Sequence, residues 1–184
     1  MKKTLMSVVM ASVLMSGAAM ADGSTATLNF EGAVTSSLCQ INTADTTKTI
    51  VLPEVSAADL AKNNGASTPV SFSIKLENCD PTVTKIQYVI QDNNGNEATH
   101  LVPQQFQGSV NPTEVGVFLQ DNLKKDIVLG GDNEIEPQKD PTTNNAVTQQ
   151  TIPLAAYLAV HNAAQTPQSG LVKASATMTI KAAK

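Results

Sequence analysis

The sequence predicts an all-β sandwich or barrel, and three observations carry that prediction. Short runs of alternating or β-branched residues fill most of the 184-residue chain. Polar turn sequences rich in Asn, Asp and Gly separate them. Helical patterning is confined to one short stretch. Period-two alternation with one apolar face marks half-buried strands. Eight such runs in one domain point to a β-sandwich or a barrel.

Taken in order, the first run is Ala26 to Val34, with Ala26, Leu28 and Phe30 alternating against Thr27, Asn29 and Glu31. Thr47 to Leu52 is the second, and Val70 to Leu76 the third, with Val70, Phe72, Ile74 and Leu76 on one face. Val83 to Ile90, Val115 to Gln120, the short Ile127 to Leu129, and Ile152 to Val160 follow. Leu171 to Lys181 closes the series: Val172, Ala174, Ala176, Met178 and Ile180 face one way, and Lys173, Ser175, Thr177, Thr179 and Lys181 the other. Such a strand is either an ordinary sandwich strand or an edge for another chain to pair with, since added strands seat alternate side chains in pockets.

Lys62-Asn63-Asn64-Gly65 and Asp92-Asn93-Asn94-Gly95-Asn96 are turn chemistry. Gly130 to Gln150 reads as a long polar loop. Ser56 to Lys62 alone suits a turn of helix, with Ser56 as N-cap and Asp59 at the N3 position.

Residues 1–21 read as an address. Lys2 and Lys3 precede the uncharged apolar run Leu5 to Leu14, and Ala19-Met20-Ala21 offers a small-x-small cleavage site. That is the pattern of a secretory signal peptide, cut before Asp22. The run is short for a spanning helix of about 20 residues, so no membrane insertion is expected after cleavage. Asp22 to Lys184 then forms a single domain.

The chain has 12 basic and 16 acidic residues, and every basic residue is lysine. Phosphate and nucleic-acid sites lean on arginine and basic patches. An acidic chain with only four Phe, two Tyr and no Trp excludes nucleic acid as the expected partner. The two cysteines, Cys39 and Cys79, both follow the leader. Export implies an oxidising compartment, so the pair reads as one disulfide. Closing a loop of about 40 residues is worth roughly 4 kcal/mol in the chain-entropy account.

Catalytic and metal-binding patterns are missing from the sequence. His100 and His161 stand alone, without H-x-x-x-H or H-E-x-x-H spacing, and read as surface or loop residues. There is no G-x-S-x-G elbow, phosphate loop or dinucleotide fingerprint. Asp121 and Asp126 flank a turn, where carboxylates cap or solvate. No catalytic residue, cofactor or metal is expected.

Five local sequences together resemble subunits of chaperone–usher pili, the type 1 major pilins in particular. They are Thr27-Leu28-Asn29-Phe30-Glu31-Gly32 leading to Cys39; Phe72-Ser73-Ile74-Lys75-Leu76-Glu77-Asn78-Cys79; Gly116-Val117-Phe118-Leu119-Gln120-Asp121; Leu154-Ala155-Ala156-Tyr157; and Gly170 ahead of the terminal strand. The resemblance implies an incomplete immunoglobulin-like β-sandwich, completed by a donor strand from another subunit or a chaperone. It implies a non-enzymatic structural subunit of a surface fimbria, with neighbouring pilins, a periplasmic chaperone and an outer-membrane usher as partners. The alternative within the same system is a minor tip, adaptor or adhesin subunit. By the same resemblance, Asp22 to Ala26 is the donor arm, with Gly23, Ser24, Thr25 and Ala26 as its residues. Leu28 and Phe30 border the acceptor groove on the first strand. Val172, Ala174, Ala176, Met178 and Ile180 border it on the last, where the chaperone would also bind. The chain departs from the family in ending Ala182-Ala183-Lys184, where a penultimate tyrosine is usual.

Overall fold

The structure, a computed structural model, describes residues 39–62, 65–105, 114–162 and 166–183. These belong to one compact unit, Ser36–Lys184. The expected leader (1–21), the donor arm (Gly23, Ser24, Thr25, Ala26) and the first strand with Leu28 and Phe30 lie outside the described residues.

Two antiparallel sheets make up the described fold. One has four strands in the order β1 (Gln40–Ile41), β2 (Val70–Glu77), β6 (Gln150–Val160), β4 (Val115–Asp121). The other has three, β5 (Asn133–Ile135), β3 (Lys85–Asp92) and β7 (Ala176–Ala183). Both sheets contribute to one core. Ile74, Leu76, Ile152, Leu154, Val117 and Leu119 enter it from the first sheet, and Ile86, Tyr88 and Ile90 from the second. The period-two pattern decides this: successive side chains point to opposite faces, so one register buries a whole apolar row.

Four predicted runs appear within two residues of their expected bounds, as β2, β3, β4 and β6. The helix is present as α1 (Ala57–Leu60), with Ser56 as N-cap accepting from the Asp59 amide. Other expectations need correction. Thr47 to Leu52 forms no strand, and Val51 stands 79% exposed. β-branched content was its only support, and no sheet edge receives it. Ile127 to Leu129 forms no strand either, although the Ile127 amide donates to Leu119 C=O at 3.0 Å. The last strand starts at Ala176 rather than Leu171, because β3 ends at Asp92, opposite Ala176. Inside the predicted polar loop, Asn133–Ile135 forms β5 against β3.

Pro153 sits in the middle strand of its sheet, where a missing N–H normally breaks a ladder. The register explains its tolerance. Leu158 N–H and C=O both bond to Ser67 on the β2 side, whereas His161 N–H bonds to Glu114 C=O on the β4 side. Even-numbered residues of β6 therefore face β2, and odd-numbered residues face β4. Pro153 nitrogen points toward β4, whose last paired residue, Asp121, lies opposite Leu154. The proline falls one position past the end of the neighbouring ladder.

Buried polar side chains hold the loops. Gln150, 2% exposed, accepts from Gln138 N–H at 2.7 Å and donates to Gln138 C=O and Val147 C=O, both at 2.9 Å. Asn133 donates to Val128 C=O and Gly131 C=O and accepts from Val128 N–H. Gly130 within that turn has φ +70°, a conformation open to glycine at little cost.

Cys39 and Cys79 form the expected disulfide, which ties the start of β1 to the end of β2. Cys79→Ser is expected to cost about 2–5 kcal/mol. Periplasmic yield of the variant measures this; unchanged yield would show that the bridge is dispensable. Burial, with a smaller contribution from the Asp121 charge, pushes the Tyr88 phenol up to about 12. The folded state thus holds Tyr88 neutral where the unfolded chain begins to ionise near pH 10. Its contribution to stability is full below that pH and is lost as pH rises toward 12. Tyrosinate absorbance followed through an alkaline titration should show Tyr88 ionising only near pH 12, or with unfolding.

Candidate functional site

A sheet edge exposes N–H and C=O groups that must be satisfied or shielded. This fold treats its edges unequally. Beside the two-residue β1, the outer edge of β2 is plugged. Asn42 N–H donates to Lys75 C=O at 2.9 Å. Asp45 Oδ2 accepts Lys75 N–H at 2.7 Å, and Lys48 Nζ donates to Ser73 C=O at 2.6 Å. The Asp45 carboxyl is held below its ordinary range, first by the hydrogen bond from Lys48 and then by the Lys75 amide.

The outer edge of β4 is covered as well. Leu101 exchanges two hydrogen bonds with Val117, at 2.8 and 3.2 Å. Beyond it, Asp121 N–H donates to Lys125 C=O at 2.9 Å. The Asp121 carboxylate caps the same turn by accepting from Leu123 N–H and Lys125 N–H, both at 2.8 Å, so its expected capping role is met. In the second sheet, β5 covers part of β3, and Gly130 N–H takes Ile90 C=O at 2.8 Å.

β7 differs. Among the described residues it pairs with β3 alone. Asn93 N–H bonds to Ser175 C=O at 3.0 Å, while the Ile90 carbonyl turns the other way, to Gly130. These two bonds fix the phase of the ladder. Thr177, Thr179, Lys181 and Ala183 turn their backbone groups to β3. Ala176, Met178, Ile180 and Ala182 turn theirs to the outer edge, as antiparallel alternation requires.

The same even-numbered residues carry the apolar face. Val172, Ala174, Met178, Ile180 and Ala182 are half-buried and lie against the core. Ala176 shares their parity but is exposed. Residues 172 and 174 precede the ladder: their stretch is held at Lys173 C=O by Gln104 N–H, at 2.7 Å. The structure thus joins Met178 and Ile180 on one open edge and sets Val172 and Ala174 just before it. The alternation in the sequence marked the apolar face. The coincidence of that face with the outward hydrogen-bonding groups needed the register.

Both histidines lie outside the strands, as the loop reading has it, but two points need correction. His100 is not a surface residue; it is 6% exposed. Nor do the two stand alone: their rings stack with centroids 4.5 Å apart. Sixty-one positions separate them in the sequence, so no spacing rule could find the pair. Among the described residues no cluster of three or more His, Cys, Asp or Glu side chains could hold a metal ion.

The family described as "Fimbrial protein" matches residues 28–182. The chain belongs to that family. It is 36% identical to the fimbrial protein 987P of Escherichia coli over all of its own length and 97% of that protein's. It is 30% identical to a type-1 fimbrial protein A chain of Escherichia coli, over 97% of each chain. Among solved structures, a chaperone–usher pilus subunit shares the fold with TM-score 0.62 and 18% identity, over 88% of this chain and 97% of that one. The P pilus rod subunit PapA does so with TM-score 0.57 and 16% identity, over 79% and 99%. The expected all-β pilin sandwich and the type 1-like family are therefore both established. The protein is a type 1-like fimbrial subunit, carried through the periplasm to the cell-surface fimbria.

The edge plug on β2 can be tested directly. Asp45→Ala removes the acceptor for Lys75 N–H and should cost about 0.5–1.5 kcal/mol. Hydrogen exchange at the Lys75 amide should quicken while Tyr88, in the other sheet, stays protected.

Proposed function

We propose that this chain is the repeating rod subunit of its fimbria, and that each copy joins the next by receiving a donated strand along β7. One observation carries the reading: the outer edge of β7 and the half-buried apolar row behind it are the same residues, Met178, Ile180 and Ala182. A strand laid there meets backbone donors and acceptors and covers side chains that the fold leaves partly wet.

The energetics favour such a joint. Full burial is worth about 1.5–3 kcal/mol for each large apolar side chain. Ordering the incoming arm costs roughly 1–2 kcal/mol per residue of backbone entropy. Hydrogen bonds along the strand and pocketed side chains must together exceed that cost. By the family reading, the donor is the arm after the leader, 22–26 with Gly23, Ser24, Thr25 and Ala26, and the first strand, with Leu28 and Phe30, forms the opposite border. A periplasmic chaperone would lend a strand to the same edge before assembly, and an outer-membrane usher would exchange it. The role is structural and non-enzymatic, with residues 1–21 removed as a signal peptide and 22–184 retained as the pilin domain.

Similarity over nearly the whole length of two fimbrial proteins supports the rod role. A tip or adaptor role predicts trace amounts at fibre ends instead. Mass spectrometry of sheared fibres separates the two, since a rod subunit must be the main band. Met178→Asp places a charge on the acceptor face and is expected to abolish accumulation of the chaperone-bound subunit. Normal periplasmic levels of that variant would overturn the assignment of the groove.

A further inference from the structure

The segment 99–104 is a strap attached at Leu101, Val102 and Gln104. Leu101 closes the edge of β4 through Val117. Gln104 N–H holds Lys173 C=O at 2.7 Å, and its Nε2 donates to Ser175 Oγ at 3.3 Å, just ahead of β7. Between them, Val102 N–H donates to the buried Asp92 carboxylate at 2.8 Å.

His100 fastens the strap to the outer face of the first sheet. Its ring lies between Phe118, at 5.4 Å and 27°, and His161, at 4.5 Å and 9°. The series continues from Phe118 to Tyr157, its cross-strand partner, at 5.6 Å. The ring lies directly over Gly116, where a Cβ would come within 2.4 Å of His100 Cδ2. Glycine here is a requirement of the stack, not of the backbone angle.

We propose that the stacked His100–His161 pair is an acid-released fastening for the 99–104 strap. Two nearly parallel imidazole rings stack well when neutral. Two imidazolium charges at that separation repel, and burial denies His100 the water that would solvate its charge. Burial first, then the neighbouring His161, lowers the proton affinity of His100, against a smaller opposing pull from Glu97 and Asp92. Glu97 lines the small cavity beside the rings with Val102 and Pro103. Glu114 is tied to His161 through the main chain, its carbonyl accepting His161 N–H at 3.0 Å. Thr99 Oγ1 meets His100 Nδ1 at 3.0 Å.

The direction of the effect follows. A base whose proton affinity falls on folding contributes full stability above its unfolded value, near pH 6.5 for histidine. That stability is lost as pH drops below it, because the opened form binds the proton that the closed form refuses. Acid therefore opens the strap, frees the β4 edge and slackens the stretch leading into β7. The fastening does not depend on which strand β7 accepts.

Hydrogen exchange of purified fibres at pH 7.5 and 5.0, corrected for intrinsic rates, tests this. The amides of Leu101 and Val117 should lose about tenfold or more in protection at pH 5.0, while Ile74 and Tyr88 keep theirs. His161→Gln, at an exposed position, should shrink the loss. His100→Phe, which keeps a stacked ring without a proton to bind, should abolish it. Equal protection of Leu101 at both pH values in the wild-type chain would overturn the proposal. So would a loss that persists unchanged in both variants, which would assign the response to Asp92 or Glu97.

Discussion

The requirement that backbone hydrogen-bonding groups find partners organises this molecule more than any single packing contact. A sheet buries its apolar face readily, but every sheet that does not close has two edges. Here the first sheet has both edges covered by short local devices, an aspartate–lysine plug beside β2 and a strap plus a capped turn beside β4. The second sheet is covered on the β5 side by three paired residues and one turn amide. Its other margin is an eight-residue strand with no such device among the described residues. Long, regular, uncharged edges invite another strand. Such an edge is a hazard in a free monomer and an asset in a subunit made to polymerise.

The contrast within β7 itself makes the point. Its outward side chains include Thr177, Thr179 and Lys181, and Lys181 reaches Asp132 at 2.9 Å across the sheet face. Polarity is placed on the face toward solvent. The inner face and the edge carry no charge from Ala176 to Ile180 on the even positions. A strand built only to end a sandwich would be expected to place a lysine or proline at its edge. β7 instead offers an uncharged inner face and backbone groups pointing the same way.

How far this was legible in the sequence depends on where the determining forces lie. β2, β3, β4 and β6 bury one face, and burial imposes alternation that any reader of the sequence can see. Thr47 to Leu52 has strand-like composition but no place in a ladder, and Lys48 within it caps a carbonyl of β2 instead. Composition records fitness for a pleated surface, not the presence of a partner. β5 has the opposite character: Asn133 and Glu134 are poor strand formers, yet they pair with Tyr88 and Gln87 because the preceding turn delivers them there. The disulfide was legible because two cysteines in an oxidising compartment leave one intramolecular choice. The apolar members of the β7 edge were legible as well. The outward phase of their amides was not, because phase belongs to the ladder and not to the strand.

The histidine pair shows why isolated residues resist such reading. His100 is in the loop after β3 and His161 follows β6, and what brings them together is the path of the 99–104 strap over β4. That path exists because Gly116 leaves room above the sheet and because Asp92, buried at the end of β3, holds both Asn94 N–H and Val102 N–H. A carboxylate, a glycine and two imidazoles, far apart in sequence, fix one short segment. That segment in turn guards one edge and steadies the approach to the other. The strap bonds to both sheets, at Val117 of β4 and at Asp92 of β3, and through Gln104 it also holds the stretch just ahead of β7, so one short segment touches the covered edge and the approach to the open one.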